Sequence, residues 1–263
     1  MISIQTYVRA KSLADAYQLN QDKRNRIVGG MLWLKLGAGA VDTAIDLCDL
    51  GLDTIEETET AFSLGAMVSL RQVEQHPGLN AYTRGAAADA VKDIVGVQFR
   101  NLATVGGSLW GRFGFSDVLT VFLAMDSYVE LYQGGVIPLE DFAARKSDRD
   151  LLVRLIVKKT PGKFVYQAMR NQRTDFPVLT CALAELDGQH RAVIGARPGK
   201  ALVLRDEAGL LAGAITPERA AAFARYAAER TPVGSNPRGS AAYRTHLIKG
   251  LASRCALALG GMD

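Results

Sequence analysis

Cysteine is scarce in this chain of 263 residues: Cys48, Cys181 and Cys255 are odd in number and far apart. They offer neither a disulfide framework nor a CxxC metal pair, so any iron–sulfur cluster working with this protein is expected on another chain. Histidine is equally sparse, and His76, His190 and His246 lack Cys or carboxylate neighbours at metal-ligand spacing. His246, in RTHLIK, reads as a surface or interface residue. No apolar run approaches the roughly 20 residues of a membrane helix, and the first twenty residues lack the basic flank and apolar core of a signal peptide. A cytoplasmic protein with no membrane partner is expected. The net charge of +4 comes from 31 Lys and Arg interspersed with 27 Asp and Glu, with no block of like charge. A solvated mixed surface is therefore expected rather than a nucleic-acid platform. A GxxxxGK phosphate loop and a GxSxG nucleophile elbow are also missing, and no Cys–His pairing is evident. Nucleophilic catalysis has no candidate, so the chemistry has to come from a cofactor.

What is present is an ordinary globular composition, 48% hydrophobic and 22% charged, long enough for one elaborate domain or two modest ones. Ser12 is expected to cap a first helix in SLADAYQLNQ. Strand-like pieces follow at Ile27-Val28, Leu32-Trp33-Leu34, Ala44 to Leu47 and Leu52 to Ile55. Gly37 to Asp42 begins like a dinucleotide fingerprint but lacks its third glycine and reads as a loop between strands. Ser69 and Gln72 form a capping box, and a longer helix is expected over about Arg84 to Val95. The stretch NLATVGGSLWGRFGFSD is too rich in glycine for a helix by propensity; Asp117 is expected to cap the apolar helix after it. Strands are expected at Tyr128 to Tyr132, Leu151 to Val157, Phe164 to Met169, Ala182 to Leu186 and Arg191 to Ile194. Two amphipathic helices should cover about Pro217 to Glu229 and Ser240 to Leu259. Composition shifts at Lys158 to Gly162, which places a boundary there.

Two glycine pairs, Gly29-Gly30 and Gly106-Gly107, each stand between apolar residues. Without Cβ atoms, a backbone can approach a ligand closely and turn its N–H groups inward around an anion. Such pairs also serve as plain turns. The second is better supported, because Thr104 and Ser108 add hydroxyl donors and Asp117 adds a carboxylate suited to a sugar or ribityl hydroxyl.

The run from Arg100 through Asn101, Ala103, Thr104, Gly106 and Gly107, with Asp117 ten residues further on, resembles the second FAD-binding segment of molybdenum hydroxylase flavin subunits. NRIVGGMLWLKLG is similar to their first segment. FVYQAMRNQRTDFPVLTCAL is similar to the opening of their C-terminal domain, and NPRGSAAYRTHLIKGLASRCAL to their last helix with its Ser-x-x-Tyr-Arg pattern. The likeness runs in order along essentially the whole chain and is nearest to short bacterial xanthine dehydrogenase-like flavin subunits.

The resemblance implies an α+β protein. Residues 1–158 would form a two-part α/β FAD-binding domain of the vanillyl-alcohol-oxidase type, with parts of about 1–55 and 56–158, and 159–263 a smaller α+β domain. Arg26, Ile27, Val28, Gly29, Gly30, Met31, Leu32 and Trp33 would wrap the pyrophosphate. Thr104, Val105, Gly106, Gly107 and Ser108 would contact pyrophosphate and ribityl oxygens, and Asp117 would accept from a cofactor hydroxyl. Gly106→Val should then abolish flavin uptake in a folded protein. Met31 and Leu32 depart from the family's small polar residue and Asp or Ser, and Ser108 replaces its Asn. Arg112 would either balance diphosphate charge or face solvent. Trp33, Trp110, Phe113 and Phe115 would shape the flavin pocket or pack elsewhere; Lys200 is a weaker candidate. The implied activity passes electrons from 2Fe–2S clusters of a small partner subunit through FAD to NAD⁺ or another acceptor, while a molybdopterin-binding large subunit hydroxylates a purine or another heterocycle. The alternatives are a flavin subunit serving CO or nicotinate oxidation and a flavin-free assembly subunit.

Overall fold

The computed structural model describes residues 2–261. The chain opens with β1 (Ile2–Arg9), α1 (Leu13–Asn20), β2 (Arg26–Val28) and β3 (Gly39–Asp46). β1 and β2 flank β3 and both run parallel to it. Ser12 caps α1 by accepting from the Asp15 amide, as its position before an apolar periodic run requires. Leu32 to Leu34 is not a strand: the chain turns after Val28 and makes one 3₁₀ turn at Leu34–Leu36. The apparent loop at Gly37 to Asp42 is already β3 from Gly39 onward.

The middle of the chain carries β4 (Ile55–Glu57), β5 (Ala61–Gly65), then α2 (Leu70–Gln75), α3 (Pro77–Tyr82), α4 (Ala86–Val91), α5 (Val97–Leu102), α6 (Val105–Trp110) and α7 (Asp117–Leu123). β6 (Ser127–Leu131), β7 (Gly135–Pro138), α8 (Leu139–Ala144) and β8 (Leu152–Lys158) complete it. Its sheet is antiparallel, in the order β4-β5-β8-β6-β7. The Ser69–Gln72 capping box is formed in full. The long helix expected over Arg84 to Val95 is cut to α4, because Arg84, Gly85 and Val95 all take positive φ.

The last part holds β9 (Gly162–Arg170), β10 (Pro177–Leu186), β11 (Gln189–Gly195), β12 (Leu202–Arg205), α9 (Pro217–Arg230) and α10 (Ala241–Leu259). Its sheet has the order β12-β11-β10-β9. β10 is buried on both faces, and the alternation of a strand divides it. Ala182 and Ala184 pack with Phe62, Leu155 and Phe122 of the middle part. Cys181 and Leu183 pack with Phe223, Leu247 and Ile248 of α9 and α10. The last sheet is thus a wall shared by two cores, while a smaller third core holds Ile45 and Leu47 against Leu151 and Val153. Among the described residues no helix is long and apolar enough to cross a membrane.

Candidate cofactor site

A cavity of about 820 Å³ lies where all three parts meet. It is lined by the turn after β2, the start of α6, the start of α7 and the β9–β10 connection. This is the size range of cavities that enclose a large organic ligand.

The two glycine pairs both line this cavity. A Cβ on Gly30 would fall 1.8 Å from the Leu102 carbonyl oxygen, and one on Gly29 would fall 2.9 Å from Thr104 Oγ1. Only glycine lets the first turn lie against the second segment at this distance. Arg26, Ile27, Val28, Gly29, Gly30, Met31, Leu32 and Trp33 all line the cavity. Val28 ends β2 as a buried residue, and Leu32 packs against the central core. Met31 has φ 56, a left-handed backbone that a side chain tolerates poorly. The amides of Gly29, Gly30, Met31, Leu32 and Trp33 donate to no acceptor of the protein among the described residues. A run of unspent N–H groups bent through a left-handed residue is the kind of backbone that can hold an anion. The departure at Met31 and Leu32 leaves this intact, because the amides form it.

The second segment works differently from expectation. Val105 to Trp110 is a helix despite its glycines, because Val105 and Leu109 are buried in the core and tertiary packing outweighs propensity. Its first amides are already spent. Val105 N–H donates to Val68 O and Gly106 N–H to Ala66 O, each at 2.8 Å, and Gly107 N–H donates to Thr104 Oγ1 at 3.1 Å. Val105 does not line the cavity; its side chain faces the core. Gly106 lines it but serves packing, since a Cβ there would meet the Ala66 oxygen at 2.7 Å. What the segment offers a ligand is the Thr104 hydroxyl, the exposed face of Gly107 and the Ser108 hydroxyl, which donates to Thr104 O.

Asp117 is the first residue of α7, and Ser116 rather than Asp117 is its cap. The carboxylate is buried, 5% exposed, and still lines the cavity. Its Oδ1 accepts from the Tyr166 hydroxyl and, at 2.6 Å, from Arg170 Nη2. Burial pushes its pKa up to about 6, against the opposing pull of Arg170 and Tyr166. The same burial raises the Tyr166 hydroxyl, which stays a donor.

At the mouth, Trp33 meets Phe113, Phe115 and Phe176 with ring centroids 6.2, 5.8 and 5.4 Å away, and Phe113 stacks on Phe115. This wall presents flat apolar surface beside the amide turn. Trp110 also lines the cavity and packs on Phe142. Arg112 neither balances ligand charge nor faces solvent: it is buried, donates to Phe142 O and Trp110 O, and lies over the Phe142 ring. Lys200 donates to Ala143 O and Ala144 O, closing the end of α8. His246 is exposed on α10. Sequence reasoning assigned no role to Tyr166, Arg170 or Phe176. Their only signal was membership of the FVYQAMRNQRTDFPV run, whose spacing does not reveal what it touches.

Residues 2–160 match the family described as the FAD binding domain in molybdopterin dehydrogenase, and residues 164–259 match the CO dehydrogenase flavoprotein C-terminal domain. The chain belongs to this family of FAD-binding oxidoreductase subunits. Among its relatives, the uncharacterised protein YgfM of Escherichia coli (strain K12) is 29% identical over 93% of this chain and 92% of its own. The nicotine 6-hydroxylase medium subunit of Paenarthrobacter nicotinovorans is 25% identical over 97% of this chain and 96% of its own. In fold, the chain is similar to a solved carbon monoxide dehydrogenase chain of Hydrogenophaga pseudoflava, with TM-score 0.88, 21% identity and 99% of both chains covered.

Proposed function

We propose that this chain is the electron-transferring medium subunit of a multi-subunit, xanthine dehydrogenase-like molybdenum hydroxylase of the cytoplasm. Its partners in this reading are a molybdopterin-binding large subunit, which oxidises a purine or a similar heterocycle, and a small subunit with 2Fe–2S clusters. NAD⁺ is the final acceptor. The domain division is at about residue 158, with parts of 1–55 and 56–158 before it and 159–263 after it. The change of strand pairing between Lys158 and Gly162 supports that division.

The observation that carries the reading is the run of unspent amides from Gly29 to Trp33 in the cavity wall, packed directly against Thr104. The residues fit FAD: a dinucleotide needs a diphosphate cradle, hydroxyl partners and flat apolar contact. The amide turn, the Thr104, Ser108 and Asp117 side chains, and the wall of Trp33, Phe113, Phe115 and Phe176 would provide these in turn. FAD, when bound, supplies the exchange between one-electron donors and a two-electron acceptor, so no protein base is required. The chain's own residues bind, orient and shield it.

Purified protein should show a flavin absorption spectrum that bleaches on reduction and returns with NAD⁺, and should copurify with a large molybdenum subunit and a small iron–sulfur subunit. Colourless protein that also refuses added FAD would sink the reading. Recovery with another oxidant but not with NAD⁺ would remove the acceptor alone.

A further inference from the structure

Asp117 is gripped from outside its own domain. Tyr166 and Arg170 lie four residues apart on β9, hence on one face of the strand, and both donate to the same oxygen, Oδ1. The ion pair is buried on both sides, with side chains 8% and 7% exposed. Arg170 is itself held by Asp175, whose main-chain oxygen accepts from Nη1 at 2.7 Å. With Oδ1 doubly occupied, Oδ2 is the oxygen left for the cavity that Asp117 and Arg170 both line.

A buried charge pair is a costly way to join a helix to a sheet. Well-packed apolar residues do the same at less expense, so the pair points to use at the adjoining cavity. We propose that Tyr166 and Arg170 are positioning residues for the cofactor. They fix Asp117 so that Oδ2 accepts a hydroxyl of the sugar or ribityl chain, and thereby make retention of the dinucleotide depend on docking of the C-terminal sheet. This rests on the FAD reading of the site.

The titratable groups facing Asp117 are Arg170 and Tyr166 on β9, and α7 brings no other charged side chain. Arg170 favours the ionised carboxylate and burial opposes it. Acidification through about pH 6 should therefore protonate Asp117, break the pair and loosen the cofactor. Without the guanidinium the carboxyl would take up its proton at higher pH.

The test is FAD affinity, read by flavin fluorescence on the full chain with any copurifying subunits kept, for Arg170→Met, Tyr166→Phe, Asp117→Asn and the Asp117→Asn/Arg170→Met pair. Loss of a charge-assisted hydrogen bond predicts roughly tenfold or greater weakening for Arg170→Met, and less for Tyr166→Phe. On the Asp117→Asn background Arg170→Met should add less than about twofold, since the two act through one contact. The pH at which FAD is lost should rise in Arg170→Met, and Asp117→Asn should abolish the step near pH 6. Should Arg170→Met fail to fold, Arg170→Lys and Tyr166→Phe carry the same comparison, Lys restoring part of the affinity. Losses that simply multiply in the double variant, or an unmoved pH profile, would overturn the positioning role while leaving the flavin assignment standing. Wild-type protein that takes up no FAD would overturn both.

Discussion

Gly107→Leu is expected to yield folded protein that has lost FAD, whereas Gly106→Val is expected to lose the fold around α6. The two glycines are adjacent yet face opposite ways. Gly107 is exposed at the cavity, and the nearest atom to an added Cβ is Thr104 Oγ1 at 3.1 Å, a hydroxyl that can give way. Leucine at this helical position gains about 1 kcal/mol of helix propensity over glycine. Its branched end occupies cavity space, and displacing it should weaken FAD roughly 10- to 100-fold. Gly106 packs on Ala66, where an added Cβ would lie 2.7 Å from the main-chain oxygen and 2.9 Å from the Ala66 Cβ. Neither atom can rotate away, and the Gly106 N–H to Ala66 O bond would be forced apart. Overpacking and a lost buried hydrogen bond together cost about 2–4 kcal/mol. The idea that Gly106→Val would spare the fold is thus corrected: this glycine serves helix-to-strand packing rather than ligand approach. Flavin absorbance per protein, measured beside thermal unfolding, separates the two variants.

Arg244→Met should cost about 3–5 kcal/mol and lower the melting temperature by roughly 10 °C. Arg244 is 0% exposed. Its guanidinium donates to the main-chain oxygens of Val178, Ala196, Gly234 and Gly239 and to Asn236 Oδ1. One side chain therefore ties α10 to the start of β10, the end of β11 and the loop before α10. Methionine fits the space without leaving a buried charge, but all five oxygens lose the guanidinium, and Gly239 O and Asn236 Oδ1 keep only the amides of Asn236 and Arg238. FAD affinity at temperatures where the variant is folded should change little, because Arg244 does not line the cavity. Thermal unfolding followed by circular dichroism checks this; a melting point within about 2 °C of the parent would contradict it.

The parts of this molecule legible in the sequence were those set by short-range chemistry. Ser12 and the Ser69–Gln72 box marked helix starts. The last two helices showed in their apolar spacing, and the paired glycines marked backbone that comes close to something. Ser240 and Arg244 were visible as a pattern, but only the structure gives the reasons, a helix cap and a carbonyl clasp. What stayed hidden depends on distant contacts. α6 is helical because Val105 and Leu109 are buried, which outweighs its two glycines. β1 escaped because it is an edge strand that is largely exposed and lacks a clean alternation. At the site, the structure brings Arg26 to Trp33, the turn that the sequence singled out, into the cavity wall. The second segment was credited with amides that Val68, Ala66 and Thr104 already hold. The partners of Asp117 lie 49 and 53 residues along the chain, beyond the reach of any local pattern.

In the proposed site, main-chain amides of the first turn clasp the diphosphate of FAD. Amide hydrogen exchange resolved by residue, compared with FAD, with riboflavin and without either, tests it most directly. FAD should slow exchange at Gly29 to Trp33, and riboflavin, which lacks the diphosphate, should not. Val105 to Gly107 should be slow throughout, because their amides are bonded within the protein. Bound FAD that left exchange at Gly29 to Trp33 unchanged, or riboflavin that protected those amides equally, would contradict it.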